Sequence, residues 1–171
     1  MIIKYNDLER IRKENEDKKI VLTIGTFDLF HYEHLRYLQD AKKLGDILVV
    51  IVKNNALASK KGENRPIIDE KQRIAIIDEL RCVDYAILTN EMVSLEEIKN
   101  MFGPQDETTT QFLSNFYPII EILHPDILYH EDTTSLQPAR VLLAEKFNIQ
   151  LIERHRTAIV STSKIIKKII K

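Results

Sequence analysis

Two histidines, His31 and His34, stand three residues apart in the segment Gly25 to His34. On the first turn of a helix, residues three apart share one face. Two imidazoles beside the N–H groups that a helix start leaves without acceptors form a compact group of phosphate donors. Histidines at this spacing also occur as surface or capping features, or they share a zinc ion. For zinc, the only nearby third ligands are Asp28 and Glu33.

The flanking sequence favours the phosphate interpretation. An apolar run, residues 20–24, precedes Gly25, and a helical pattern, Leu35, Leu38, Ala41 and Leu44, follows His34. A strand, a glycine turn and a helix start form the common anion site of α/β proteins. Gly25 also allows a ligand to come close to the backbone.

A second candidate phosphate site lies near the C-terminus, where Ser161-Thr162-Ser163 precede a helical pattern. Hydroxyl side chains at a helix start usually cap it. The same helix start also directs free N–H groups and a positive dipole end outward, which suits the β- and γ-phosphates of a nucleotide. Arg156 stands five residues earlier and would add a positive charge to this second phosphate site.

The rest of the chain alternates strand and helix. Strand patterns cover residues 20–24, 47–52, 85–88, 125–129 and 149–152. Helical patterns cover about 6–17, 33–44, 69–81, 94–101, 111–123, 136–147 and 161–171, and a polar loop covers 53–66. This alternation predicts an α/β fold, a Rossmann-like doubly wound parallel five-stranded sheet, as a single domain over 1–171. Ligands of such sheets bind beyond the carboxyl ends of the strands, where both phosphate segments would meet.

Composition narrows the functional class. The chain has 171 residues, 44% of them hydrophobic and 30% charged, with a formal net charge of −1. No global field attracts it to nucleic acid, so any anion site must be local. The single cysteine, Cys82, excludes an internal disulfide framework. The charged N-terminal stretch resembles no signal peptide and no apolar run is long enough to span a membrane, so we expect a cytoplasmic protein without a membrane span.

The segment GPQDETTT, residues 103–110, interrupts the helical pattern and indicates an insertion of about 103–120. The helix after it is rich in apolar residues, namely Phe112, Leu113, Phe116, Tyr117, Ile119 and Ile120. If exposed, these residues would mark a partner surface. The alternative, that they pack on the sheet, is equally supported by the sequence.

Five segments together resemble a known family. GTFDLFHYEH (25–34) resembles the signature of the HxGH nucleotidyltransferase superfamily, in particular its cytidylyltransferases, and RTAIVSTSKII (156–166) resembles the second half of that signature. The segments KGENRPI (61–67), QR (72–73) and RCVD (81–84) resemble those of glycerol-3-phosphate cytidylyltransferases and heptose-1-phosphate adenylyltransferases. The resemblance covers about residues 20–90 and 150–171.

The resemblance implies transfer of a nucleoside monophosphate to a phosphorylated polyol or sugar, with release of pyrophosphate. The donor would be CTP or ATP with Mg²⁺, and family members of this size commonly form homodimers. GTFDLFH and RCVD favour CTP, whereas KGENRPI favours ATP, and on balance the resemblance favours CTP and transfer of CMP. Such a transfer needs positioning and charge stabilisation but no covalent enzyme intermediate.

The resemblance also implies residue roles, with no protein ligand to a metal. The implied catalytic residues are His31, His34, Lys61 and Arg156. The implied nucleotide-binding residues are Gly25, Thr26, Phe27, Asp28, Ser161, Thr162 and Ser163. The implied substrate-binding residues are Arg73, Arg81 and Lys60. For Asp28, the turn geometry favours a structural role, with accepted backbone N–H bonds, over contact with substrate or magnesium.

The sequence departs from the family pattern at four places. Glu33 replaces a glycine, Asn55 replaces an acidic residue, His130-Glu131-Asp132 replaces a GDD-like motif, and Ile159-Val160 replaces the glycine before Ser161. A carboxylate at residue 33 beside a triphosphate would repel it, so the sequence predicts that Glu33→Gly tightens binding. One alternative is that the Glu33 side chain turns away or meets a cation. Another is that it contacts a base amino group, holds a histidine tautomer or recruits magnesium. A third is that the protein binds nucleotides without catalysis.

Overall fold

The computed structural model describes residues 1–132, 136–155 and 160–169. Its core is a five-stranded sheet of β1 (Ile20–Gly25), β2 (Ile47–Val52), β3 (Tyr85–Leu88), β4 (Ile127–Glu131) and β5 (Gln150–Arg154). All neighbours pair in parallel, in the order β3-β2-β1-β4-β5. The chain therefore adds strands first on one side of β1 and then on the other, which makes β1 the switch point. The predicted fold class is confirmed.

The helices of the described residues are α1 (Leu8–Glu14), α2 (Tyr32–Lys42), α3 (Asn55–Ser59), α4 (Glu70–Asp78), α5 (Leu95–Phe102), α6 (Glu107–Leu123), α7 (Gln137–Phe147) and α8 (Thr162–Ile169). A 3₁₀ turn at Tyr5–Asp7 precedes α1. The structure differs from the prediction in the 53–66 loop, which contains α3. Asn54 caps this helix by accepting a bond from the N–H of Leu57. Asp106 likewise starts α6 four residues earlier than predicted.

Alternate residues of each strand face two different helical layers. Leu22, Ile51 and Leu128 pack in one cluster with α1, α6 and α7. Val21, Val52 and Tyr129 pack in the other cluster with residues of α2 and α4. Successive residues of a strand point to opposite faces of the sheet. The face on which the residue after a strand lies therefore follows from the faces of the strand residues before it.

Helix α6 is the crossover element between β3 and β4, and it is buried. Phe112, Leu113, Phe116, Tyr117, Ile119 and Ile120 are all 5% exposed or less. The apolar surface that would have marked a partner is therefore absent at these residues, and the alternative, packing on the sheet, is what the structure shows.

Within the described parts of the chain, none of the helices combines the length and the apolar character needed to cross a membrane.

Candidate active site

One cavity of about 440 Å³ opens at the carboxyl edge of the sheet, beside the end of β1. It collects residues from the loops after β1, β2 and β4 and from the start of α8. Its walls include Gly25, Thr26, Phe27, Asp28, His31, His34, Tyr37, Lys53, Lys61, Arg65, His130, Glu131, Leu136, Arg140, Ser161, Thr162 and Ser163. Both predicted phosphate segments therefore reach the same cavity.

The histidine pair forms one wall. His31 is the N-cap residue of α2. Its ring stacks on that of His34, with centroids 3.8 Å apart and an interplanar angle of 18°. The Phe27 ring meets His34 edge-on at 5.6 Å. Phe27 has a φ of 53° and Leu29 a φ of 45°, both in the left-handed region that bulky residues rarely adopt. The turn is thus held in an unfavourable backbone shape that places both imidazoles at the cavity.

Gly25 permits this turn because the Phe27 ring folds back onto it. A Cβ atom at residue 25 would overlap with the ring of Phe27. A side chain there would displace the ring that positions His34.

Asp28 ties the turn to the loop before α4. Its carboxylate is 2% exposed and accepts bonds from the N–H groups of Ile67 and Ile68, at 3.0–3.1 Å. The Arg65 Nε lies 3.1 Å from the same carboxylate. The backbone oxygen of Asp28 accepts a bond from the Thr162 hydroxyl at 2.8 Å. Asp28 therefore holds together the turn, the 65–68 loop and α8.

The start of α8 forms the opposite wall. The Ser161 hydroxyl accepts a bond from the N–H of Lys164 at 3.2 Å and so caps the helix. Ser161, Thr162 and Ser163 all line the cavity. The amino ends of α2 and α8 thus face one space, and each contributes N–H groups and a positive dipole end.

The remaining predicted basic residues have separate locations. Lys61 lines the cavity, whereas the exposed Lys60 donates to Gln111 and does not line it. Arg81 is exposed and precedes β3, at the amino edge of the parallel sheet, opposite the cavity. Arg156 lies outside the described residues.

Arg73 is fully buried and lies beneath the site. Its guanidinium donates to the backbone oxygens of Ile68 and Thr26 and to Asn55 Oδ1. In this position it supports the site's backbone without lining the cavity.

Glu33 is turned away from the cavity. Its side chain is 7% exposed, and its Oε2 lies 3.5 Å from a guanidinium nitrogen of Arg154, at the end of β5. The same guanidinium lies 3.7 Å from Asp40 and 3.8 Å from Glu131. The structure thus shows the alternative in which the side chain of Glu33 turns away and meets a cation. The predicted tightening in Glu33→Gly loses its premise, a carboxylate beside the phosphates.

The cavity lining also includes residues to which the sequence assigned no role, among them Lys53, Arg65, His130 and Arg140. Lys53 could have been found, because it directly follows the buried strand β2 at the carboxyl edge. His130 could also have been found, because it is the second-last residue of β4 at the same edge. Arg140 could not, since it lies within α7 and only packing directs it to the cavity.

Lys53 is half-buried among other cations. Burial lowers its pKa to about 8, and the positive charges of Lys61, Arg140 and Lys60 add to the effect. In the unfolded chain the ordinary value of 10.5 returns, so between about pH 8 and 10.5 the unfolded state binds more protons. The free energy of unfolding therefore rises with pH across this window, and below it the cost of the buried charge is present in full.

We expect Lys53→Met to raise the melting temperature at pH 7, because it removes a charge whose burial lowers the free energy of unfolding. This cost is on the order of 1–3 kcal/mol after allowance for solvent screening. The gain should shrink as pH approaches 10. Thermal melts from pH 7 to 10, with the exposed Lys99→Met as the control, measure this. A lower melting temperature for Lys53→Met would contradict it.

Stacked histidines at one helix start face a hydroxyl-capped helix start across a cavity at the switch point, and this arrangement suits phosphate groups. The profile of the cytidylyltransferase-like family matches residues 22–168. The chain therefore belongs to the cytidylyltransferase-like family.

Two bifunctional proteins from bacteria are similar to this chain in sequence. The chain is 36% identical over 163 residues to the bifunctional protein HldE of Citrifermentans bemidjiense, covering 93% of this chain and 28% of that protein. It is 42% identical over 93 residues to the bifunctional protein HldE of Helicobacter pylori strain P12, covering 54% and 20%. The chain thus spans less than a third of these relatives.

Among solved structures, a lipopolysaccharide core biosynthesis protein from Thermoplasma volcanium has a TM-score of 0.56 and 28% identity, over 84% of this chain and 99% of that one. Pantothenate synthetase from Thermus thermophilus, at 13% identity, has a TM-score of 0.64 over 97% of this chain and 70% of that one, which shows the shared fold alone.

Proposed function

We propose that the protein transfers a nucleoside monophosphate from a nucleoside triphosphate to a phosphorylated sugar or polyol and releases pyrophosphate. The observation that carries the proposal is the stacked His31–His34 pair facing the amino end of α8 across one cavity. The similarity to a lipopolysaccharide core biosynthesis protein supports a sugar over a simple polyol.

In the proposed reaction, an oxygen of the acceptor phosphate attacks the α-phosphorus and forms the new P–O bond. The bond from the α-phosphorus to the bridging oxygen breaks, and pyrophosphate leaves with the electron pair. A phosphate monoester is largely ionised near neutral pH, so no general base is required. Negative charge grows on the oxygens of the five-coordinate centre, where His31, His34 and Lys61 can donate hydrogen bonds.

Magnesium fits this site through the nucleotide. Mg²⁺ takes oxygen ligands and keeps several waters, and phosphate oxygens supply most of its ligands in such enzymes. Asp28, the buried carboxylate of the turn, already faces two N–H groups and Arg65. The ion would neutralise charge on the triphosphate, and this chain's residues would orient the phosphates.

ATP and CTP are the two candidate donors, and we give ATP the greater weight. One of the two segments that favoured CTP, RCVD, lies at the amino edge of the sheet, where Asp84 pairs with Lys42 at 2.6 Å. It cannot contact a base at the opposite edge. The segment that favoured ATP, KGENRPI, joins the site through Arg65 and Lys61.

The test is pyrophosphate release with ATP or CTP, Mg²⁺ and a panel of sugar and polyol phosphates. We expect turnover with at least one sugar phosphate, faster with ATP than with CTP. Release with CTP alone would transfer the donor assignment to CTP. Absence of release with every pair, in a protein that still binds ATP, would contradict the proposed transfer.

A cytoplasmic location and a homodimer are also part of the proposal. The homodimer rests on the family resemblance alone, since the apolar residues of α6 are buried within the chain. The cytoplasmic location rests on the charged N-terminal stretch and on the lack of a long apolar run in the sequence.

A further inference from the structure

A group of basic residues lines the cavity on the face of the sheet opposite the histidine pair, namely Lys53, His130 and Arg140. In β2, Ile51 packs with the α6–α7 layer and Val52 with the α2–α4 layer, so Lys53 returns to the α6–α7 side. His130 is placed on the same side by the same alternation, after Leu128 and Tyr129 of β4. Because β1 lies between β2 and β4, these two residues flank the end of β1.

Helix α6 brings Lys53 and Arg140 together. The Lys53 Nζ lies 5.6 Å from the ring centroid of Phe116, and the Arg140 guanidinium carbon lies 5.7 Å from that of Phe112. The two rings are one helical turn apart, with centroids 4.6 Å from each other. Two cations on adjacent aromatic faces are each stabilised by the ring, but they repel one another.

This repulsion has no carboxylate to offset it at Lys53. Among residues 1–132, 136–155 and 160–169, no carboxylate oxygen lies within 4 Å of its ammonium group. Arg140 is 8% exposed, and it also lines the cavity. A cavity wall with two converging cations, one of them almost fully buried, is complementary to an anion with at least two oxygens.

His130 adds a neutral polar atom to this wall. Its Nδ1–H donates to the backbone oxygen of Glu131 at 3.1 Å, because a carbonyl can only accept. Its Nε2 is buried and has no hydrogen-bond partner in the described part of the chain, although the residue lines the cavity and is 4% exposed. Burial, the main cause, lowers the pKa of His130, and the charge of Arg140 adds to this. The Nε2 is therefore an acceptor that faces the cavity without a donor.

We propose that Lys53 and Arg140 hold the phosphate of the acceptor substrate, and that His130 accepts a hydrogen bond from one of its hydroxyl groups. This rests on the proposed nucleotidyl transfer and assigns the α6–α7 side of the cavity to the acceptor, with the α2–α8 side left to the triphosphate. The three residues then select a phosphorylated, hydroxylated molecule, and they hold its phosphate at the switch point between the two helical layers.

The test uses calorimetric titration of the full chain loaded with α,β-methylene-ATP and Mg²⁺. The probes are glucose 1-phosphate, cyclohexyl phosphate, which lacks the hydroxyls, and glucose, which lacks the phosphate. We expect glucose 1-phosphate to bind best.

Lys53→Met and Arg140→Met should each weaken the binding of glucose 1-phosphate by about tenfold or more, the effect of losing one charge-assisted contact. The affinity for the ATP analogue should be unchanged. His130→Ala should remove the preference for glucose 1-phosphate over cyclohexyl phosphate. Lys99→Met, on the exposed face of α5, is the matched control.

The outcomes separate the inference from the proposed function. Loss of ATP-analogue binding in Lys53→Met and Arg140→Met would overturn the inference, because the cations would then hold the nucleotide. Unchanged glucose 1-phosphate binding in both variants, or none in the wild type at millimolar concentration while the analogue binds, would also overturn it. If the analogue itself fails to bind the wild type, the proposed function fails instead. Lys53→Met keeps the test valid if Arg140→Met unfolds, since it removes a destabilising charge.

Discussion

His34→Ala is expected to lower kcat for pyrophosphate release by about 10²–10³-fold, the range seen when one preorganised donor to transition-state charge is removed. The His34 ring is fixed by stacking on His31 at 3.8 Å and by the edge of Phe27 at 5.6 Å. A donor already held in place needs no reorganisation when charge develops on the phosphorus oxygens. The KM for the triphosphate should change much less than kcat, because the helix N–H groups still bind it. Steady-state kinetics with ATP and the best acceptor measure the two parameters separately.

Tyr32→Ala is the control for this variant. Tyr32 lies in the same helical turn, is 62% exposed and does not line the cavity. It should retain wild-type turnover. If His34→Ala loses no more than Tyr32→Ala while its melting curve stays cooperative, the histidine has no part in the chemistry and the assignment of this wall is wrong.

Asp28→Asn is expected to destabilise the fold by about 3–5 kcal/mol, the usual cost of removing one partner of a buried charge pair. The carboxylate accepts two backbone N–H bonds and faces Arg65, whose side chain is 13% exposed. An amide is neutral, and its NH₂ group would be directed at N–H donors or at the guanidinium. The loop before α4 should then separate from the turn after β1, and turnover should fall even at temperatures where the protein is folded. Urea unfolding and pyrophosphate release measure the two effects.

Asp69→Asn gives the comparison for this effect. Asp69 is exposed and caps α4 through a bond from the N–H of Lys71, a role that asparagine also performs. We expect a loss below about 1 kcal/mol there. Equal destabilisation by the two substitutions would show that Asp28 has no special part in holding the turn.

The sequence by itself determined the order of strands and helices and the edge of the sheet at which the site lies. Apolar runs and capping residues act over a few neighbours, so the strand before Gly25 and the helix after His31 follow from local pattern. The parallel arrangement then requires that residues after successive strands meet at one edge. That argument places His31, His34 and Ser161 to Ser163 at the carboxyl edge, together with the loop in which the family resemblance singles out Lys61.

Only the tertiary structure decided which partners the charged side chains have, because those partners are distant in the sequence. Arg73 and Arg81 had the same predicted role. In the structure, Arg73 is buried beneath the turn, whereas Arg81 is exposed at the opposite edge of the sheet. Glu33 meets Arg154, 121 positions along the chain, and so faces away from the cavity. The Lys53–Arg140 pair depends on two phenylalanines of α6. The role of a charged side chain depends on the groups packed around it. Those groups come from segments far apart in the sequence, and no local pattern indicates that the segments are in contact.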